Sequence, residues 1–387
     1  MSQSAQREKI TVVHIVGKMR DGGAEAMLRA LVPKLAEQSD LDMHFLSIYD
    51  STLSPSEKDA LGVPVHEISR RSRSDLGFAA RLLGTLRRLA PTVVHGHSHS
   101  GKFAGRMGAI AAGVPNIVFS EHGDDARGAI HWSVNRLLNA RTARFIVFTD
   151  GERQRFAHQH ALPLERVAVI PNGIPVPAAT DAQATRRELG LRKGDFAIVT
   201  PARLVHQKNH ELLLRAVAAL RASGRDHVRL FIVGEGPRGE TLRATATELG
   251  LDGVVQFLGF RNDAPRLTAA ADVLALSSLW EKMPLVLGEA MLSGIPVVST
   301  PWTGIDTLVT DGETGYLSAD WSVEAYTAAL GRAIDDPAAR LTLANRAREV
   351  AMERFDLERA VRAHADLYRT LASAAPAGRL ARRFRSA

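Results

Sequence analysis

The chain has 387 residues, 45% of them hydrophobic and 24% charged, which suits a soluble globular protein with room for two domains of ordinary size. Cysteine is absent, which excludes disulfides, thiolate metal ligands and cysteine nucleophiles and fits a reducing compartment. The net charge is +7, yet only 5% of residues are aromatic and no nucleic-acid motif occurs, so no nucleic-acid partner is expected.

The chain starts MSQSAQREK, without the apolar run of a secretory leader. Its longest weakly polar stretch, Met107 to Ser120, is interrupted by Gly113 and Pro115 and is too short to span a bilayer. A cytoplasmic protein is expected, with a peripheral position on the inner membrane face left open. The first strand, Ile10–Val16, runs into Gly17-Lys-Met-Arg-Asp-Gly22-Gly23-Ala24-Glu25, where Gly22 and Gly23 would let a ligand approach the amides opening a helix. Asp40-Leu-Asp42 resembles a metal-binding D-x-D, but it precedes a strand and reads as turn chemistry. Strands follow at Met43–Ile48 and Val63–His66. Between Ile68 and Arg106, eight basic residues (Arg70, Arg71, Arg73, Arg81, Arg87, Arg88, Lys102, Arg106) face the single acid Asp75. The tail GRLARRFRSA adds four arginines. A basic face that meets anionic lipid, through Arg70, Arg71, Arg73, Arg87 and Arg88, is the functional reading of this excess.

The strand Thr92–His95 carries His95, His97 and His99 at alternate positions, on one face if the strand continues. With no nearby acid or fourth histidine, packed or hydrogen-bonded side chains are expected rather than a metal centre. Gly96 to Lys102 nearly spells a P-loop, but Phe103 stands where magnesium needs a hydroxyl. Further strands are read at Asn116–Ser120, Arg144–Phe148 and Val167–Ile170. Pro171 to Thr185 holds three prolines and small polar residues, which places a boundary near residue 180. The second half repeats the alternation, with strands Phe196–Thr200, Val228–Val233, Val254–Leu258, Val273–Leu276 and Pro296–Ser299, and helical patterns from Val323 to Ala372 close the chain. Buried β-rich runs alternating with helices predict two α/β, doubly wound domains with parallel sheets, whose ligands bind at the carboxyl ends of the strands. The default active site is then the cleft between them.

Two features of the second half carry chemistry, and a third is set aside. Arg203 and Lys208 follow Phe196–Thr200, where a guanidinium and an ammonium could hold a diphosphate. Glu281 and Glu289, eight positions apart around Pro284 and a helix start, could accept sugar hydroxyls while helix amides face a phosphate. Gly234-Glu-Gly236-Pro-Arg-Gly239 matches a dinucleotide fingerprint, but the next strand ends without the required acid.

Taken in order, Gly22-Gly23-Ala24-Glu25, Glu121-His122-Gly123, Pro171-Asn172-Gly173-Ile174, Arg203 with Lys208-Asn209, Gly234-Glu-Gly236-Pro237, Gly259-Phe-Arg261-Asn-Asp263 and Glu281 with Glu289-Ala290-Met291 resemble the retaining GT-B glycosyltransferases of family 4. The resemblance runs from residue 10 to about 355. It implies two Rossmann-like domains: 1–180 for the acceptor, 181–355 for a UDP- or GDP-linked sugar, and a 356–387 segment whose helix crosses back. It implies that Arg203 and Lys208 clamp the pyrophosphate, so that no metal is needed, and that Glu289 binds the ribose. Glu281 would hold the transferred sugar, helped by Met283, Pro284, Leu285 and Val286, with Phe260 near the base. Gly22 and Gly23 would approach the phosphates or acceptor, and His122 would orient the sugar at the anomeric carbon. The implied reaction is transfer to a glycan or lipid-linked acceptor with retained configuration, as in polysaccharide or glycolipid synthesis.

Lys282, Met283, Leu285 and Gly288 depart from the family's usual residues, which leaves the donor sugar open. A GT-B sugar-nucleotide epimerase or hydrolase, and a non-catalytic sugar-nucleotide-binding module, remain the alternatives.

Overall fold

The structure, a computed structural model, describes residues 9–19, 23–51, 53–72, 75, 77–122 and 129–374, with the side chains of 129–131 left aside. Gly22, Arg73, Gly123 and the arginine-rich tail fall outside the described residues. Two compact units make up the chain. One holds Met1–Gly173 and Leu357–Ala387; the other holds Ile174–Asp356.

The sheet of the first unit is built from β1 (Ile10–Val16), β2 (Leu41–Ser47), β3 (Val65–Glu67), β4 (Val93–His97), β5 (Asn116–Ser120), β6 (Arg144–Val147) and β7 (Val167–Val169), in the order β3-β2-β1-β4-β5-β6-β7. All its pairings are parallel. β4 and β5 are buried at every position because helices cover both faces, so β-branched residues run without alternation. The second sheet comprises β8 (Phe196–Pro201), β9 (Val228–Val233), β10 (Val255–Gly259), β11 (Val273–Leu276), β12 (Val297–Ser299) and β13 (Tyr316–Leu317). Its order, β10-β9-β8-β11-β12-β13, repeats the first pattern. In each unit the winding direction reverses beside the first strand, between β1 and β4 and between β8 and β11. That reversal opens a crevice at the strands' carboxyl ends, where doubly wound sheets bind ligands.

The division falls at Gly173–Ile174 rather than near residue 180. A Cβ on Gly173 would stand 2.8 Å from the Leu357 Cα, so the outgoing and returning chains touch there and only glycine fits. The helix Leu357–Ala374 completes the first unit, burying Ala360, Val361, His364, Ala365, Tyr368 and Leu371 at helical spacing. Its Arg369 forks onto Asp40, with Nε and Nη2 donating at 2.8 and 2.9 Å. The D-x-D resemblance is thus an anchor for the last helix.

Several sequence expectations change here. β4 ends at His97, and Ser98 has φ 52°, so His99 leaves the strand face and packs against Phe103 instead. Lys102 is buried in an ion pair with Glu121 (2.9 Å), not poised for a phosphate. Gly96 and Gly101 admit close backbone approach: a Cβ on either would meet the other's backbone at 2.8 Å. Arg106 is fully buried and donates to Asn139, Thr142, Asn135 and the Lys102 carbonyl. Lys102 and Arg106 therefore drop out of any basic surface.

Candidate active site

In the second unit, the loops after β8 and β11 flank the winding reversal and carry three of the predicted residues, two of which meet. Arg203, just past β8, is exposed, and its guanidinium has no hydrogen-bond partner among the described residues. Lys208 ends a short turn, His206–Lys208, and its Nζ donates to Glu281 Oε1 at 2.5 Å. The Glu281 side chain is only 6% exposed, which makes this a sheltered charge pair. Ser278 Oγ donates to the same oxygen at 2.6 Å, while Gln207 Nε2 donates to the Trp280 carbonyl at 2.8 Å. The Glu281 Oε2 side has only a long contact, 3.5 Å, from Gln207. One face of the carboxylate is therefore fixed and the other remains free to accept.

The glycine motif after β9 explains how the Arg203 loop is held. A Cβ on Gly234 would lie 2.2 Å from the Ala202 carbonyl oxygen, and one on Gly236 would lie 2.5 Å from that of Leu204. Leu204 N donates to the Glu235 carbonyl and Arg238 N to the Leu204 carbonyl, both at 3.0 Å. These glycines let two backbones interlock; they do not approach a dinucleotide.

The helix Leu285–Leu292 starts after Pro284 with no side-chain cap, so its first amides are open to a ligand. Met283 and Pro284 are buried, and Leu285 and Val286 are half-buried. The Glu289 carboxylate, one turn in, accepts no hydrogen bond among the described residues, and burial raises its pKa above the ordinary glutamate value. Phe260 is 45% exposed at the end of β10, its amide reaching toward Glu235 at 3.5 Å. His210 follows Asn209 at a helix start. It is 1% exposed, both ring nitrogens lack partners, and burial with Lys208 and Arg238 nearby pushes its pKa down to about 4.

In the first unit, Gly23 opens the helix Gly23–Ala36 after β1, and His122 lies just past β5. His122 is partly exposed, packs on the Phe148 ring (5.2 Å between centroids), and shares a 3.1 Å hydrogen bond between its Nε2 and His97 Nδ1. Burial lowers its pKa to about 4, leaving it neutral at pH 7. His14 on β1 sits opposite His95 on β4. Nitrogens of His14, His95 and His97 come within 4.8 Å of one another, so His14 takes the place the sequence reading gave to His99 beside His95 and His97. The signal was His14 itself, a polar residue inside the buried run ITVVHIV.

Two α/β units with the same repeated winding define a fold of two Rossmann-like domains. The profile of the family "Glycosyl transferases group 1" matches residues 181–350, and that of "Glycosyltransferase Family 4" matches residues 21–176. A D-inositol 3-phosphate glycosyltransferase from Nocardioides sp. is 31% identical over 311 residues, covering 72% of this chain and 67% of the relative. An Escherichia coli UDP-Gal:alpha-D-GlcNAc-diphosphoundecaprenol alpha-1,3-galactosyltransferase is 29% identical, covering 71% of this chain and 74% of the relative. Among solved structures, Anabaena HepE in complex with UDP and glucose superposes with a TM-score of 0.82 at 23% identity, covering 93% of this chain and 100% of that one. The chain belongs to the group 1, family 4 glycosyltransferases, with the GT-B fold, and is a transferase enzyme.

Proposed function

We propose that this enzyme moves a sugar from a UDP- or GDP-linked donor to a glycan or lipid-linked acceptor, with retention of anomeric configuration and without a metal. The observation that carries this reading is the grouping of Arg203, the Lys208–Glu281 pair and the uncapped helix bearing Glu289 around the crevice between β8 and β11. A diphosphate brings negative charge that increases as the glycosidic bond to it breaks. Arg203 supplies a free planar fork for it, and Lys208 a point charge already held in place. The amides at Leu285 and Val286 add the positive end of a helix. Glu289, an acceptor with nothing yet bonded to it, fits a ribose diol; Glu281, through its free oxygen, fits a sugar hydroxyl. Both are proposed roles, as are those of Gly23 at the phosphates or acceptor, Phe260 at the base and His122 at the transferred sugar. Gly22 was read with Gly23 but lies outside the described residues.

The E. coli relative is named for a diphosphoundecaprenol acceptor, which supports a lipid-linked substrate here. Arg71, Arg87 and Arg88 are exposed and could meet an anionic surface, whereas Arg70 is half-buried, with its guanidinium 4.8 Å from the Phe78 ring centroid. No helix among the described residues is long and apolar enough to cross a membrane. A thermal-shift panel of UDP-, GDP- and ADP-sugars in EDTA tests the donor reading. Stabilisation by one base class is expected, and no shift with any of them would contradict it. Free epimerised sugar released without acceptor would favour the epimerase instead.

A further inference from the structure

His122 does not end in isolation. Its Nε2 meets His97 Nδ1 at 3.1 Å, and His97 Nε2 meets His14 Nδ1 at 2.9 Å. His14 Nε2 meets the Tyr368 hydroxyl at 3.3 Å, which in turn meets His95 Nδ1 at 2.7 Å. His95 Nε2 closes the run on Ser120 Oγ at 2.8 Å. Every member except His122 is buried: His14, His95, His97 and Tyr368 are fully enclosed, and Ser120 is 1% exposed. The run thus joins β1, β4, β5 and the C-terminal helix, all within one unit, to the single histidine that reaches the surface.

Simple proton counting constrains this run. A neutral imidazole has one N–H and one lone pair, and a tyrosine hydroxyl has one proton to donate. With one proton per bond and Tyr368 passing its own proton on, two arrangements satisfy all five contacts. In one, Ser120 donates to His95 and every later group donates onward, leaving His122 with an N–H at Nδ1. In the other, every bond is reversed, His122 offers a lone pair at Nδ1, and the buried Ser120 hydroxyl is left without an acceptor among the described residues, so the first is favoured. A mixed arrangement leaves two donors or two lone pairs facing each other or, where Tyr368 accepts from both histidines, its O–H without an acceptor, and in a dry interior each is costly. Charge in the run is disfavoured as well: burial and mutual repulsion hold the histidines below their ordinary pKa, and His364, 5.9 Å from the His95 ring, adds to this. Glu121, next to His122 in the chain, is paired with Lys102.

We propose that His97, His14, Tyr368 and His95 form a positioning relay that fixes the ring orientation and tautomer of His122. His122 therefore meets its ligand as a neutral group with one defined hydrogen-bonding character at Nδ1. The C-terminal helix contributes Tyr368 as the joint between two histidines, so it shapes the site as well as bracing the fold. A metal at His14, His95 and His97 is the competing arrangement, but it would have to displace bonds that already engage every ring nitrogen of the three. That His122 faces the donor sugar rests on the proposed function; the relay itself does not.

Tyr368→Phe tests the relay, because it removes one hydroxyl and keeps the ring. Two-bond ¹H–¹⁵N spectra of the full-length protein, labelled at histidine, read each tautomer directly. Wild type should show His122 in one neutral tautomer from pH 7.5 to 5.5. Tyr368→Phe should show it as a mixture, and His97→Gln should do the same if the first variant fails to fold. Arg369→Ala, which loosens the same helix without touching the run, should leave the His122 signals unchanged. An unaltered His122 tautomer in Tyr368→Phe, or an equal change in Arg369→Ala, would overturn the relay. Stoichiometric zinc in the purified protein that shifts the His14 and His97 signals would overturn it too. UDP release from UDP-sugars should fall about tenfold in Tyr368→Phe, as for groups acting through a ligand-bearing residue. His122→Gln separates the two readings: unchanged release there removes His122 from the donor site, while the tautomer spectra alone decide the relay.

Discussion

The two units share one winding pattern but equip their crevices in opposite ways. Beside β8 and β11 the side chains are charged: a free guanidinium, a sheltered ammonium–carboxylate pair and a glutamate that accepts nothing yet. Beside β1 and β4 they are neutral histidines and a tyrosine in a closed hydrogen-bond run. The same scaffold therefore presents a site suited to a dianionic leaving group in one unit and a rigid, uncharged polar site in the other. A diphosphate needs charge that can engage it on arrival, whereas a sugar hydroxyl needs one well-aimed neutral partner.

The sharpest way to break that contrast is to remove charge from the second unit. Lys208→Ala should lower transfer about 10²–10³-fold, a loss typical of deleting one group that stabilises developing charge. It should also destabilise the fold, because Glu281 is left sheltered and without its cation. Adding Glu281→Gln should restore thermal stability without restoring transfer, and recovery of both would remove the pair from catalysis. Gly236→Ala comes next. Its Cβ would press on the Leu204 carbonyl oxygen at 2.5 Å, so a loss of about 1–3 kcal/mol in denaturant unfolding is expected, with weaker nucleotide binding as the Arg203 loop shifts. Unchanged stability would show that the interlocked loops can relax.

Acid should weigh more on the first unit, where His14, His95, His97, His122 and His364 are held low, than on the second, where His210 is. The first unit's buried histidines have pKa values below the ordinary 6.5 (His14 about 3, His364 about 4), so they take up protons mainly once unfolded. Stability contributed in this way is intact above about pH 6.5 and declines as pH falls from there toward 4, by up to about 1.4 kcal/mol per histidine per pH unit. Hydrogen exchange at pH 5 should therefore rise first in β1, β4 and the helix Leu357–Ala374; equal loosening of β8 and β11 would blur the contrast. Glu289→Gln should give the smallest effect. Burial raises the pKa of Glu289, so its ionised form costs stability at neutral pH, and the amide should raise the melting temperature of the ligand-free protein by a degree or two while weakening nucleotide binding. A lowered melting temperature would show that the carboxylate has a stabilising partner.

The strands were legible because burial on both faces leaves long β-branched runs. Ile10–Val16, Asn116–Ser120, Val228–Val233 and Val273–Leu276 match the structure residue for residue. β13 was missed because a two-residue edge strand carries no periodicity. Glu281 and Lys208 could be picked out separately, but their 2.5 Å pairing could not, since it joins loops that follow different strands. His95 and His97 stood out on one strand. Their partners did not, because His14 comes from the neighbouring strand and Tyr368 from a helix more than two hundred residues away. Residue type and local spacing are visible in a sequence; sheet order decides which of them meet.

In the proposed function, the crevice between β8 and β11 binds a nucleoside diphosphate through Arg203 and Lys208 without a metal. Calorimetric titration of UDP and GDP in EDTA, into wild type and into an Arg203→Ala/Lys208→Ala double variant, tests it most directly. Wild type should bind one of the two nucleotides, and the double variant should bind it at least about a hundredfold more weakly. Equal affinity in the two proteins would contradict it.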